Sequence, residues 1–206
     1  MIVVHHLNES RSQRVLWLLE ELNLPYEICK YARDATTRLA PPELQAVHPL
    51  GKSPVLEDAG MKLIESGAIV DYLIRRHGGG RLQPVRDTSD FELYNQWLHY
   101  AEGSAMLPLL LKLYVGRLGE AGAPLAPRIN SELKNHLGYV DAALQGREWL
   151  VGDALSGADI QMSFVAEAAR GLRVDYPHMD AWLRRFQHRP AYQRALARGG
   201  PYSMAG

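Results

Sequence analysis

The 206-residue sequence predicts an α+β protein: a small mixed sheet with flanking helices over residues 1–80, then an all-α region over residues 88–206. Three observations predict it. Up to residue 80, short apolar runs of strand character alternate with helix-period runs, whereas from Thr88 onward the period is helical throughout. Gly78-Gly79-Gly80 and the stretch Arg81–Asp87, which holds Pro84 and reads as a linker, separate the two regimes. The order within the first regime is βαβ followed by αββα. A β-α-β unit requires parallel pairing through a right-handed crossover, and the terminal hairpin is antiparallel.

Ile2–His6 reads as a short buried strand that stops at the polar loop Asn8-Glu9-Ser10-Arg11-Ser12. Over Ser12–Asn23 the apolar residues Val15, Leu16, Leu18, Leu19 and Leu22 recur at helical spacing. Ser12 reads as the cap of this helix and Arg11 as a solvated first-turn residue. A strand ending in hydroxyl residues just before a helix aims unpaired backbone N–H groups at one point. That point favours an anion such as a thiolate, carboxylate or phosphate. Asn23-Leu24-Pro25 breaks the helix before a second strand, Tyr26–Lys30. Between Tyr31 and Val47 the chain is polar with Pro41-Pro42, consistent with a loop and a short helix. Gly60 marks a two-residue turn between Val55–Asp58 and Met61–Ile64, a β-hairpin. Ser66 then sits where it caps a helix over Gly67–Arg76 that ends in the glycine run.

In the helical region, Asp87-Thr88-Ser89 caps a long helix running to Gly116. Trp97, Leu98, Ala101, Ala105 and Met106 face inward on it, and Pro108 bends it by removing one ladder bond. A loop over Gly119–Pro124 opens a second helix, Pro127–Gln145. Ser156 and Asp159 have the spacing of a capping box, with Leu155 and Ile160 in the positions of a hydrophobic staple. Two shorter helices, near His178–Gln187 and Ala191–Ala197, finish the chain.

Bulk properties exclude several function classes. The 23 basic and 23 acidic residues leave no net charge, so no nucleic-acid partner is expected; Arg75-Arg76 and Arg184-Arg185 read as solvated helix faces. Cys29 is the only cysteine, which rules out an intrachain disulfide and a cysteine-based metal site; within its β-like run it reads as a buried, inert thiol. His5 and His6 point to opposite faces of a strand, and no Cys or carboxylate cluster completes a site, so no metal is expected. The N-terminus reads as lacking a signal peptide, and no apolar run approaches the ~20 residues a membrane span needs. A cytoplasmic protein with no membrane partner is expected.

Four stretches, in order and at matching spacing, resemble the cytosolic glutathione transferases, and the likeness covers essentially the whole chain. They are Ser10-Arg11-Ser12 leading into Val15–Leu22; His48-Pro49-Leu50-Gly51-Lys52-Ser53-Pro54-Val55-Leu56, similar to N-P-x-G-K-[VS]-P-x-L; Glu65-Ser66-Gly67-Ala68-Ile69, like E-S-x-A-I; and the Ser156–Asp159 box with Trp182-Leu183 and Arg189-Pro190-Ala191-Tyr192. Trp97–Gly103 looks most like a bacterial and fungal branch with a serine-type opening motif. The resemblance implies a thioredoxin-like glutathione-binding domain over 1–80 and an all-helical domain over 88–206. It also implies a detoxifying transferase that activates glutathione as a thiolate for conjugation to a hydrophobic electrophile, and leaves room for a glutathione-dependent peroxidase activity. Glutathione is then a co-substrate, with no separate cofactor.

Glutathione needs a backbone rail, a clamp for its γ-glutamyl end and a cation for its glycine carboxylate. The resemblance assigns the rail to Ser53 and Pro54, with a cis bond between them, and the glycine carboxylate to Lys52. Ser66 takes the γ-glutamyl carboxylate at a helix N-terminus and Glu65 its ammonium. Ser10 is the first choice to donate to the sulfur, with Ser12, Asn8, Glu9 and a backbone N–H as rivals. A thiol of pKa about 8.5 is mostly protonated at pH 7, so a bond that favours the thiolate raises the nucleophile's population. The opening loop holds no tyrosine and no cysteine, against the tyrosine-type and cysteine-type classes, and lacks the Ser-Ser-Cys signature of the zeta isomerases. Tyr100, Met106, Leu107, Leu110 and Tyr114 are candidate walls of the electrophile pocket, which the family places between the sheet domain and the first long helix. A homodimer is implied as well. The alternative is a non-catalytic glutathione-fold module for binding or protein interaction.

Overall fold

The structure, a computed structural model, describes residues 1–172, 175–200 and 202–203. It has the predicted α+β architecture, in two compact units: Met1–Gln83 with Phe186–Gly206, and Pro84–Arg185.

In the first unit, β1 (Ile2–Leu7) lies parallel to β2 (Tyr26–Tyr31) and antiparallel to β3 (Val55–Asp58), which forms a hairpin with β4 (Met61–Leu63). The sheet order is β2-β1-β3-β4. Ala59 and Gly60 turn the hairpin at φ values of 50° and 80°, the left-handed pair that matches strand twist. Helix α1 (Ser12–Leu22) makes the crossover and ends at Asn23, whose φ of 53° is one asparagine tolerates. Helices α2 (Glu43–Val47) and α3 (Ser66–His77) precede and follow the hairpin.

Helix α1 is buried from Ser12 to Leu19, more than a single apolar stripe explains. It packs on β1, on α3 and on α9 (Pro190–Gly199). Trp17 is fully buried, stacked on Phe186 with centroids 5.3 Å apart and edge-on to Tyr192 at 5.4 Å. Arg189 pairs with Glu21 at 2.6 Å, and Arg194 and Arg198 pair with Glu20 at 2.8 and 3.1 Å. The helical region expected to run to residue 206 therefore divides. The described residues from Phe186 onward belong with the sheet, because Phe186 and Tyr192 cover a face of α1 that would otherwise expose an indole. Cys29 also departs from expectation. It is exposed, since β2 is an edge strand.

The second unit contains α4 (Ser89–Tyr100), α5 (Met106–Gly116), α6 (Ala126–Ala143), α7 (Gly157–Ala169) and most of α8 (Pro177–Gln187). Thr88 caps α4 by accepting the Phe91 N–H. The long helix expected to Gly116 is split by a π-turn over Ala101–Ala105. Pro108 cannot donate to the carbonyl four residues back, and the chain widens just before it. The expected inward residues Trp97, Leu98, Ala101, Ala105 and Met106 are all buried. The stretch expected as a loop over 119–124 is a 3-10 helix, Gly119–Leu125. The Ser156–Asp159 capping box is present: Ser156 N–H donates to Asp159 Oδ2 at 2.9 Å, and Ser156 Oγ accepts the Ala158 N–H. Asp159 also accepts from Leu150 N–H and Trp182 Nε1–H, which ties the loop before α7 to α8. Among the described residues, no helix is long and apolar enough to cross a membrane.

Candidate functional site

Topology gathers four loops at one end of the sheet. His5 pairs with Val55 and Leu7 with Tyr31, so the end of β1, the start of β3 and the end of β2 meet there. Leu56 pairs with Leu63, which brings the end of β4, and hence Glu65 and Ser66, to the same edge. Strand order and direction thus collect Asn8–Ser12, Lys52–Pro54 and Glu65–Ser66, which lie far apart in sequence.

The Ser53–Pro54 peptide bond is cis. The Ser53 hydroxyl donates to the His5 carbonyl at 2.8 Å and accepts the Leu7 N–H at 3.1 Å, so this side chain is committed to β1 and only its backbone is open to a ligand. Lys52 is exposed beside Gly51, whose φ of 56° and contact with Gln45 leave no room for a side chain. Glu65 is exposed at φ 65°, ψ 111°, a conformation costly for a residue with a Cβ. Ser66 is buried and is the first residue of α3, not its side-chain cap as expected. Its hydroxyl accepts from Arg14 Nη1 at 3.2 Å.

Arg14 is the residue the sequence reading missed. It is buried, 2% exposed, and lies on the same α1 face as Leu18 and Leu22, one and two turns on. A basic residue in an apolar helix register was the available signal. A guanidinium and a helix N-terminus, both positive, converge on Ser66.

At the start of α1, Ser12 is not the cap expected of it. The N-cap position is Arg11, which makes no side-chain cap bond, and Ser10 braces the turn before it: its Oγ accepts the Ser12 N–H at 3.2 Å, and its carbonyl accepts the Gln13 N–H. The Ser10 and Ser12 hydroxyls lie 2.8 Å apart, and Ser12 Oγ lies 2.8 Å from His6 Nδ1. All three residues are buried. Burial drives the His6 pKa down to about 4, aided by the positive charge of Lys30, so this ring is neutral. Asn8 and Glu9, the other rivals, hold the loop together. Asn8 Oδ1 accepts the Arg33 N–H, and the Arg33 guanidinium donates to the carbonyls of Asn8 and Glu9. The Glu9 carboxylate accepts from the N–H and hydroxyl of Ser203.

The expected electrophile-pocket residues all lie in the second unit. Leu107, Leu110 and Tyr114 share one face of α5, with Leu107 and Tyr114 each 56% exposed and Leu110 half-buried. Met106 is 3% exposed and packs in the helical core. Tyr100 joins Trp97 and Tyr139 in a ring cluster, and its hydroxyl is 2.7 Å from His136 Nδ1. Burial raises its pKa to about 12. Among the described residues, no group of three or more His, Cys, Asp or Glu is placed to hold a metal ion.

Residues 1–75 match the family model of the glutathione S-transferase N-terminal domain, and residues 103–190 that of the C-terminal domain. Glutathione S-transferase 3 of Schizosaccharomyces pombe is 35% identical over 208 residues, covering 93% of this chain and 85% of that protein. Glutathione S-transferase 1 of Saccharomyces cerevisiae is 36% identical over 217 residues, covering 93% of this chain and 92% of the yeast protein. Among solved structures, a glutathione S-transferase from Actinobacillus pleuropneumoniae superposes with a TM-score of 0.91 at 34% identity, over 100% of this chain and 96% of that one. A Pseudomonas fluorescens family member solved with two glutathione molecules bound has a TM-score of 0.79 at 30% identity, over 95% of this chain and 92% of that one. Both domains of this chain and the order of its elements are those of these relatives, and the chain belongs to the glutathione S-transferase family.

Proposed function

We propose that the protein is a glutathione transferase that binds glutathione at this end of the sheet and activates its thiol for attack on an electrophilic small molecule. The observation that carries the reading is the convergence of the α3 N-terminus and buried Arg14 on Ser66, beside the loop where α1 begins. A helix N-terminus backed by a cation suits a carboxylate. Ser66 donates to the γ-glutamyl carboxylate, Glu65 meets the neighbouring ammonium, and Lys52 meets the glycine carboxylate. The backbone at Ser53, ahead of Pro54, pairs with the cysteinyl N–H and C=O. Ser10 donates to the sulfur, stabilising the thiolate after its proton leaves to solvent. The sulfur lone pair then forms a bond to the electrophilic carbon, and the leaving group departs with the electron pair of the bond that breaks. Leu107, Leu110, Tyr114, Tyr100 and Met106, all in the helical unit, are the candidate contacts for that electrophile. The protein works as a homodimer, which sedimentation velocity checks directly.

Isothermal titration with glutathione tests the reading. Heat of binding is expected in the millimolar range or below, and Ser66→Ala should weaken it about tenfold, the worth of one hydrogen bond to a charged group. No heat at millimolar glutathione would overturn the proposal. Binding without conjugation of any electrophile would turn it toward a non-catalytic glutathione module.

A further inference from the structure

We propose that His6, acting through Ser12, sets the direction of the Ser10 hydroxyl proton and thereby governs how readily Ser10 donates to a bound thiolate. The inference rests on the reading of Ser10 as the donor to sulfur and adds two positioning residues behind it.

A count of protons along the buried chain carries the argument. His6 is neutral, as its depressed pKa requires, and so has one ring N–H. The Gly199 backbone lies beside the ring and raises its pKa, as a carbonyl next to a ring N–H does. Helix α9 ends close against this ring: a Cβ on Gly199 would stand 3.4 Å from His6 Cε1 and 2.8 Å from Gln13 Oε1. Nδ1 faces Ser12 Oγ at 2.8 Å, and a proton on Nε2, the arrangement the proposal takes, leaves Nδ1 an acceptor. The single hydroxyl hydrogen of Ser12 therefore points to Nδ1, in preference to the Leu7 carbonyl at 3.3 Å. With its hydrogen spent, Ser12 Oγ accepts the 2.8 Å bond from Ser10. Ser10 Oγ already accepts the Ser12 N–H, so the Ser10 hydrogen is turned inward.

Donation to sulfur requires Ser10 to release Ser12. The opposite tautomer of His6 would reverse the chain: Nδ1–H would donate to Ser12, Ser12 would donate onward, and the Ser10 hydrogen would be free. The ring thus holds the opening loop in a state where thiolate stabilisation competes with an internal bond.

The test is the pH titration of the ultraviolet thiolate band of bound glutathione in the full-length protein. Ser10→Ala should move the midpoint up. Ser12→Ala removes the competing acceptor and should move it down by about half to one pH unit, the worth of one ordinary hydrogen bond. In the Ser10→Ala/Ser12→Ala double variant, the midpoint should equal that of Ser10→Ala alone. If Ser10→Ala raises the midpoint but Ser12→Ala does not lower it, or lowers it equally without Ser10, the relay fails while the Ser10 reading stands. If Ser10→Ala leaves the midpoint unmoved, the Ser10 reading fails and takes the relay with it. Nitrogen-15 shifts of His6 in the unmutated protein give a second measure that no folding defect can blur. An Nε2–H tautomer is expected, and Nδ1–H overturns the proposal.

Discussion

His5 and His6 are neighbours in sequence and opposites in chemistry, because successive strand side chains point to opposite faces. His5 lies between the Tyr31 hydroxyl at 2.8 Å and Glu57 at 3.1 Å, on the face of the sheet where Lys62 also reaches Glu57. His6 lies on the other face, under the start of α1, where burial lowers its pKa from 6.5 to about 4. The unfolded chain therefore binds a proton at His6 that the folded chain refuses between those two values. Stability from this group is complete above pH 6.5 and is lost as pH falls toward 4, by about 3 kcal/mol over the full window. Urea denaturation at pH 7 and pH 5 should show a larger drop for the unmutated protein than for His6→Gln. Equal drops would show that this ring does not carry the dependence. Arg14 makes a related point at the same scale. Its charge sits in an apolar register, where it donates to the Ser66 hydroxyl.

At the scale of elements, α1 is held from outside by α9 through two adjacent carboxylates. Glu20 accepts from Arg194, Arg198 and the Tyr26 hydroxyl, and the Arg198 guanidinium also lies 3.7 Å from the Tyr26 ring centroid. Glu21 accepts from Trp17 Nε1 at 2.8 Å and from Arg189 at 2.6 and 2.9 Å. Exposed ion pairs are worth little, but Glu21 is only 9% exposed and satisfies a buried indole N–H. Glu21→Ala should cost about 2 kcal/mol, most of it from the unpaired indole. Amide exchange over α9 should quicken in that variant. Unchanged protection there would mean that apolar packing on Trp17 alone holds α9.

At the scale of the molecule, the chain leaves the sheet unit at residue 83 and returns to it at residue 186. Phe186 and Tyr192 complete the surroundings of Trp17, so the sheet unit is unfinished until the last 21 residues arrive. A chain ending at Arg185 should lose cooperative unfolding and bind an apolar dye through the bared face of α1. A native near-ultraviolet dichroism spectrum from that truncated chain would count against this division of the core.

The sequence by itself determined the class of fold and most of its parts. Strand and helix periods, the Asn23-Leu24-Pro25 break, the hairpin turn at Gly60 and the Ser156–Asp159 box are local signals, and local backbone chemistry sufficed to read them. Tertiary structure decided which residues meet. Ser12 read as a cap because hydroxyls before helices usually cap. It is instead turned to His6, a partner six residues back that only the β1–α1 crossover brings near. Ser66 read as a cap for the same reason, and Arg14, 52 residues earlier, claims its oxygen. The allegiance of Phe186 and of α9 was hidden too, because a helix pattern states which face is apolar but not which neighbour covers it. Periodicity is a property of one element, whereas hydrogen-bond partners and buried faces are properties of pairs, and pairs are set when the chain packs.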